Sequence, residues 1–269
     1  MSHPMLNIAI RAARHAGKYI SRAFEDLDRV QIESKGLNDY VSQVDRQAEA
    51  LVLEVLKDKY PKHHYIAEES GISGDENSDY QWIIDPLDGT TNFLHGFPQF
   101  AISIALKHKG QLDQAIILDP IRNEEFTASR GRGAQMNGRR LRVSKQYQLE
   151  GSLLGTGMPF RPDQQDMAEA YWAILKDLAG ASAGIRRPGA AALDLAYVAA
   201  GRLDGFWEFG LKSWDMAAGI LLIREAGGMV VDPLGGDNFF ESGNVVCGNN
   251  KILKLLLQHI RPKLQAQLE

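Results

Sequence analysis

Two short apolar runs that each stop at an acid constrain this chain more than any other feature. His64-Tyr65-Ile66-Ala67 runs into Glu68, and Gln81-Trp82-Ile83-Ile84 runs into Asp85. Runs this short, rich in aromatic and β-branched side chains and bounded by polar residues, read as buried strands. A buried strand that ends in an acid delivers a carboxylate to the rim of a core. The fold must therefore bring together the ends of strands that are separate in sequence.

The flanking pattern supplies the layers. Leu6, Ile10, Ala13, Gly17, Ile20 and Phe24 recur at steps of three and four and predict a helix starting just after Pro4. Val44, Ala48, Leu51, Val52, Val55 and Leu56 mark a second helix that Pro61 stops, with Asp45 in its first turn. Phe100 to Leu106, Leu112 to Leu118 and Glu125 to Ala128 predict an antiparallel meander with turns at Asp119-Pro120 and Gly131/Gly133. From residue 164 onward helix and strand alternate: helix about 164–179, strand near Ile185, helix about 190–200, strand Leu203 to Phe209, helix about 214–226. A final helix from about Lys251 carries Ile252, Leu255, Leu256 and Ile260. This α/β class predicts one domain over residues 1–269, with an N-terminal α+β lobe (about 1–180) and a C-terminal α/β lobe (about 181–269).

Composition removes several functions. With 44% hydrophobic and 24% charged residues the chain has ordinary globular composition, and its net charge of −4 argues against a dedicated polyanion binder. One cysteine, Cys247, excludes an intrachain disulfide and any Cys-x-x-Cys zinc or redox motif, which fits a reducing cytoplasm. The N-terminal segment lacks an apolar signal core, and no window approaches eighteen uninterrupted apolar residues, so no membrane partner is expected.

The chemistry concentrates in Asp85-Pro86-Leu87-Asp88-Gly89-Thr90. Pro86 holds Asp85 extended, and the following turn is expected to bring Asp88 back towards it. Gly89 allows a close turn, and Thr90 opens a helix at Thr91-Asn92-Phe93 whose free N–H groups favour phosphate. Hard oxygen ligands of this kind suit Mg²⁺ rather than zinc. Read alone, Asp88 and Thr90 serve equally well as helix caps. Glu68-Glu69-Ser70 and Trp214-Asp215-Met216-Ala217-Ala218-Gly219 offer further acids, each with a competing reading as a solvated turn or an N-cap. Asp45 likewise has the Ser42-x-x-Asp45 spacing of a capping box.

Two long segments resolve these alternatives in combination. Trp82-Ile83-Ile84-Asp85-Pro86-Leu87-Asp88-Gly89-Thr90-Thr91-Asn92-Phe93-Leu94-His95, and Trp214-Asp215-Met216-Ala217-Ala218-Gly219 continuing to Gly228, closely resemble signatures of the inositol monophosphatase family. The order of the intervening features extends the match across nearly the whole chain. The resemblance implies a layered α-β-α-β-α sandwich and two or three Mg²⁺ ions. Glu68, Asp85 and the Leu87 carbonyl would hold one ion, Asp85, Asp88 and Asp215 a second, and Glu68 a third, weaker one. It further implies that Thr90 and Asp45 activate an attacking water, with Glu68 also catalytic, and that the Gly89 and Thr90 N–H groups hold the phosphate. Asp88, Gly189, Ala191, Glu208 and Asp215 would contact the substrate, and Lys35 matches a lysine near a loop by the metal site.

The implied activity is hydrolysis of inositol-1-phosphate and similar small polyol monophosphates, sensitive to Li⁺, by a homodimer with Arg186-Arg187-Pro188 near the subunit contact. Met1 to Arg14 and the segment from Gly189 to Arg202 look most like the bacterial type of the family. That type implies a second role in RNA polymerase antitermination complexes during ribosomal RNA transcription.

Rival readings are fructose-1,6-bisphosphatase or phosphoadenosine phosphate phosphatase activity, because metal acids alone do not choose the alcohol. A haloacid-dehalogenase phosphatase is disfavoured, because Asp85 and Asp88 are separated by two residues rather than one. An interaction protein is the rival of another class, with Arg130, Arg132, Arg139, Arg140, Arg142 and Lys145 as its dense basic segment. Gly155-Thr156-Gly157 lacks the third glycine of a dinucleotide fingerprint.

Overall fold

The computed structural model describes residues 3–36, 39–159 and 162–268. Helix α1 (Pro4–Phe24) has its proline in the first turn, where no backbone donor is lost, and the His3 ring accepts the Met5 N–H at 3.3 Å. The hairpin β1 (Ile32–Gly36) and β2 (Asp39–Ser42) leads into α2 (Gln43–Lys59).

Strands β3 (His64–Ala67), β4 (Gly71–Gly74), β5 (Tyr80–Asp88), β6 (Ala101–His108), β7 (Gln111–Asp119), β8 (Glu124–Ser129), β9 (Gly133–Met136) and β10 (Arg139–Arg140) form one sheet. Its spatial order is β10-β9-β8-β7-β6-β5-β3-β4, antiparallel except where β3 lies parallel to β5. A short helix α3 (Thr90–Leu94) follows β5. The second sheet contains β11 (Leu153–Thr156), β12 (Gly184–Arg186), β13 (Gly205–Glu208), β14 (Met229–Val231) and β15 (Val245–Gly248) in the order β12-β11-β13-β15-β14. Helices α4 (Ala168–Ala181), α5 (Ala191–Ala199), α6 (Ser213–Glu225), α7 (Phe239–Ser242) and α8 (Asn250–Leu268) complete the chain.

Alternation along the strands sorts the side chains into three buried cores and thereby the elements into five layers. Trp82, Ile84, Ile102, Ile104 and Ile116 face α1 and α2 in one core. Ile83, Ala101, Ala105, Ala115 and Ile117 point the other way, against α5, α6 and the near face of the second sheet at Phe206, Val245 and Cys247. Leu154, Trp207 and Val246 on the far face of that sheet pack under α4 and α8. The result is the α-β-α-β-α sandwich. Among the described residues no helix is long and apolar enough to cross a membrane.

Several elements differ from the expectation. The β1–β2 hairpin, β4, β9, β10 and β11 are strands that local pattern does not announce, each being five residues or fewer. Because β11 belongs to the second sheet, the chain changes sheets between Arg140 and Leu153, upstream of the lobe boundary expected near residue 180.

Candidate metal and phosphate site

The Asp85–Asp88 segment is a bulge within β5 rather than a turn after it. Asp85 pairs with Ser103 and Asp88 with Ala101, so three steps on β5 oppose two on β6. In a regular strand residues three apart face opposite sides; the extra residue restores both acids to one side. Pro86 suits this position because a bulged residue has no ladder donor to lose. The Asp85 carboxylate accepts the Leu87 N–H at 2.9 Å. Gly89 then adopts φ 93°, and a Cβ there would stand 2.9 Å from the Gln99 carbonyl oxygen, so the chain needs glycine to enter α3.

Helix α2 reaches the same place from the other side. Both Asp45 oxygens are engaged: Oδ2 accepts the Ser42 N–H at 2.8 Å and the Ser42 hydroxyl at 2.6 Å, and Oδ1 accepts the Thr90 hydroxyl at 2.8 Å. The capping box and the link to Thr90 therefore coexist in one carboxylate. The Thr90 hydroxyl also lies 3.1 Å from the Leu87 carbonyl oxygen. One turn along, buried Glu49 accepts the N–H groups of Glu69 and Ser70, both at 2.8 Å, and so fixes the turn that carries Glu68.

The remaining acids come from the second half of the chain. Asp215, at the start of α6, accepts the Lys212 N–H at 2.7 Å, and the Ser103 hydroxyl donates to the Trp214 carbonyl at 3.1 Å, tying α6 to β6. Asp88 accepts the Ala192 N–H at 2.7 Å, joining the bulge to α5. Asn92 donates to the carbonyls of Gln99 at 2.7 Å, Pro188 at 2.8 Å and Gly189 at 3.2 Å, which staples the 188–189 loop to α3.

These elements enclose a cavity of about 350 Å³. Glu68, Asp85, Leu87, Asp88, Gly89, Thr90, Gly189, Ala191, Glu208 and Asp215 all line it. Asp45 does not; it acts on the cavity through the Thr90 hydroxyl. Lys35 lies in β1, but its side chain falls outside the described ones. In the basic segment Arg130 pairs with Asp113 at 3.2 Å, while Arg139 and Arg140 are exposed on β10.

Charge on the wall is lopsided. Six carboxylates, those of Glu68, Asp85, Asp88, Asp194, Glu208 and Asp215, line the cavity with Arg187 as the lone Arg or Lys among its described lining residues. Asp85 is held well above the usual carboxylate range, first by burial and then by Glu68, Asp88 and Asp215. Hydrogen bonding to Glu68 adds to that rise as its smallest cause. Burial and then the Asp215 charge raise Asp88 in the same direction, against the lowering effect of the Ala192 N–H.

The donor set fits a hard divalent cation. All of its oxygens are carboxylate, carbonyl or hydroxyl, and the acids repel one another without a cation between them. Among the described residues no group of three or more His, Cys, Asp or Glu side chains is placed to hold a metal ion by itself.

Reasoning from the sequence missed Glu49, the Asn92 staple, Gly157, Arg187 and Asp194. Glu49 follows Asp45 by one helical turn, which was the available signal. Asn92 stands within the first signature, but its partners are about a hundred residues away.

Comparison with known proteins follows the same line. The inositol monophosphatase family model matches residues 1–265. A protein of Pseudomonas aeruginosa named Nus factor SuhB is 58% identical over 268 residues, covering 99% of each chain. The crystal structure of extragenic suppressor protein SuhB from Bartonella henselae superposes with a TM-score of 0.92 at 46% identity, over 96% of this chain and 98% of that one. An inositol monophosphatase from Anabaena gives a TM-score of 0.85 at 36% identity, over 96% and 95%. The chain belongs to the inositol monophosphatase family.

Proposed function

We propose that this protein is a Mg²⁺-dependent phosphatase of small polyol monophosphates such as inositol-1-phosphate. One observation carries the reading: six carboxylates and one arginine share a wall with the Gly89 and Thr90 backbone. Two unit charges about 4 Å apart at an effective dielectric of about 20 interact by about 4 kcal/mol. A phosphate dianion entering this cavity unaided would therefore be expelled. Divalent cations between carboxylates and phosphate reverse the sign.

Glu68, Asp85, the Leu87 carbonyl, Asp88 and Asp215 are the residues that would hold two or three Mg²⁺ ions. When bound, Mg²⁺ neutralises phosphate charge and lowers the pKa of water. The chain's own groups do the rest. The Thr90 hydroxyl, held by Asp45 Oδ1, orients the attacking water in line with the leaving alcohol and passes its proton towards Asp45. The N–H groups of Gly89 and Thr90 steady the phosphate oxygens. Glu208, Ala191 and Gly189 face the alcohol, which favours a hydroxyl-bearing leaving group.

The test is phosphate release from inositol-1-phosphate by Asp88→Asn and Asp215→Asn. Each is expected to lose nearly all Mg²⁺-dependent turnover while melting cooperatively. Full activity in either variant removes the metal assignment. Li⁺ titrated at fixed Mg²⁺ is expected to lower turnover, and light scattering is expected to report a dimer.

A second reading rests on the name Nus factor carried by the Pseudomonas relative. In it the same chain, working in the cytoplasm, also joins an RNA polymerase antitermination complex. Co-purification of the Asp215→Asn variant with transcription proteins would support this role as independent of catalysis, and failure of the wild type to co-purify would end it.

A further inference from the structure

Glu208 ends β13 and Asp215 lies in the first turn of α6, and the residues between strand and helix, Phe209-Gly210-Leu211-Lys212, belong to neither element. A strap without a ladder or helix of its own takes its place from whatever its backbone groups bond to. The Phe209 carbonyl accepts the buried Gln164 side-chain amide at 3.1 Å. The Gly210 N–H donates to Asn244 Oδ1 at 3.0 Å, and the Leu211 N–H to the Gly243 carbonyl at 2.8 Å. The Lys212 N–H donates to the Asp215 carboxylate itself, at 2.7 Å. Consecutive N–H groups are thus committed first to the 243–244 loop and then to a proposed metal ligand.

The 243–244 loop is itself fixed. Gly243 is the left-handed residue that ends α7, with φ 72°, and its N–H donates to the Phe239 carbonyl at 2.9 Å. A Cβ there would stand 2.4 Å from the Leu211 carbonyl oxygen, so glycine is what lets the two segments touch. The Asn244 N–H donates to the Ser242 hydroxyl at 3.2 Å, and Val245, next along, pairs with Glu208 across β13 and β15. Asn244 therefore meets the strap from a backbone held on both sides. Leu211 packs in the central core and lines the cavity, so a shift of the strap reaches the cavity wall directly.

We infer that Asn244 is a positioning residue of the metal site: its Oδ1, acting through the Gly210–Lys212 backbone, sets where the Lys212 N–H aims the Asp215 carboxylate. The inference rests on the proposed role of Asp215 as a Mg²⁺ ligand and extends that site to a residue outside the cavity lining. Groups that orient a ligating carboxylate govern metal affinity, and their removal commonly costs about 10–100-fold. Every Asn244 variant keeps the Asp215 carboxylate, so the loss falls on affinity and added Mg²⁺ overcomes it.

The test is Mg²⁺ binding by calorimetry on chelator-stripped protein, at a temperature where each variant is folded. Asn244→Ala is expected to raise the Mg²⁺ Kd about tenfold. Asn244→Asp, which keeps an accepting oxygen in the same shape, is expected to recover most of that loss. Asn249→Ala is the control. The Asn249 amide donates to the Ser144 and Gln146 carbonyls at 3.0 and 2.7 Å, and none of the three residues lines the cavity. That variant is expected to lose stability with Kd unchanged. Turnover of Asn244→Ala on inositol-1-phosphate is expected to fall at limiting Mg²⁺ and to approach wild type at saturation.

A wild-type Kd in Asn244→Ala would overturn the inference. So would equal Kd shifts in Asn244→Ala and Asn249→Ala, which would mark the change as lost stability alone. If Asn244→Ala fails to fold, Asn244→Ser, whose shorter side chain stops short of the Gly210 N–H, carries the same expectation and the same refutation. Wild-type protein with no saturable Mg²⁺ binding would instead refute the metal assignment itself, and the inference with it.

Discussion

Replacing Asp85 by Asn should stabilise the metal-free protein while destroying its response to Mg²⁺. Asp85 is 1% exposed, and its carboxyl stands well above the usual range because of burial and of Glu68, Asp88 and Asp215. The amide preserves the shape, its oxygen can keep the Leu87 N–H, and its NH₂ can donate to Glu68. The neutral amide removes a charge that is buried among other carboxylates, so relief on the order of 1–3 kcal/mol is expected at neutral pH in chelator. At about 2–4 °C per kcal/mol for a chain of this size, Tm should rise by roughly 2–12 °C. The wild type should gain about 2.7 kcal/mol from Mg²⁺ at about 100 times its Kd, and the variant should lose most of that gain. Paired thermal melts in chelator and in Mg²⁺ read both quantities. A variant less stable than wild type in chelator, or one with the wild-type Mg²⁺ shift, refutes the reasoning.

The raised carboxyls also set a pH dependence. Folded Asp85, Asp88 and Asp194 bind protons more tightly than in the unfolded chain, so metal-free stability falls as pH rises from about 4 through their folded range, and is unaffected below it. Urea midpoints across that range should fall in chelator, fall less in Asp85→Asn, and flatten with Mg²⁺. Glu49→Ala leaves the Glu69 and Ser70 N–H groups unpaired, and chemical denaturation should show a loss on the order of 2–4 kcal/mol, accompanied by weaker Mg²⁺ binding in calorimetry. Thr90→Val removes the hydroxyl between Asp45 and Leu87, and steady-state assays should show kcat down about 10²–10³-fold with KM little changed.

What could be read from the chain was whatever depends on near neighbours in sequence. The apolar runs before Glu68 and Asp85 announce their own strands, and the Ser42–Asp45 capping box follows from a spacing of three residues. The five-layer arrangement was legible only through the family resemblance; the local pattern gave an α/β alternation without saying which helix layer each strand face meets. The bulge was not legible, since it is a mismatch of register between β5 and β6 and no property of β5 alone. Gly157 failed a dinucleotide fingerprint and joins the cavity wall only once β11 lies beside β13. Asp194 reads as one polar residue in an apolar helix until the cavity wall beside it is known.

The central claim is that phosphoester hydrolysis in this cavity depends on divalent cations held by its carboxylates. Phosphate release from inositol-1-phosphate, measured with chelator-stripped protein as Mg²⁺ is titrated in, tests it most directly. No turnover before addition and a saturating rise after it is the predicted result. Turnover that persists in excess chelator, or none at any Mg²⁺ concentration, would contradict the account.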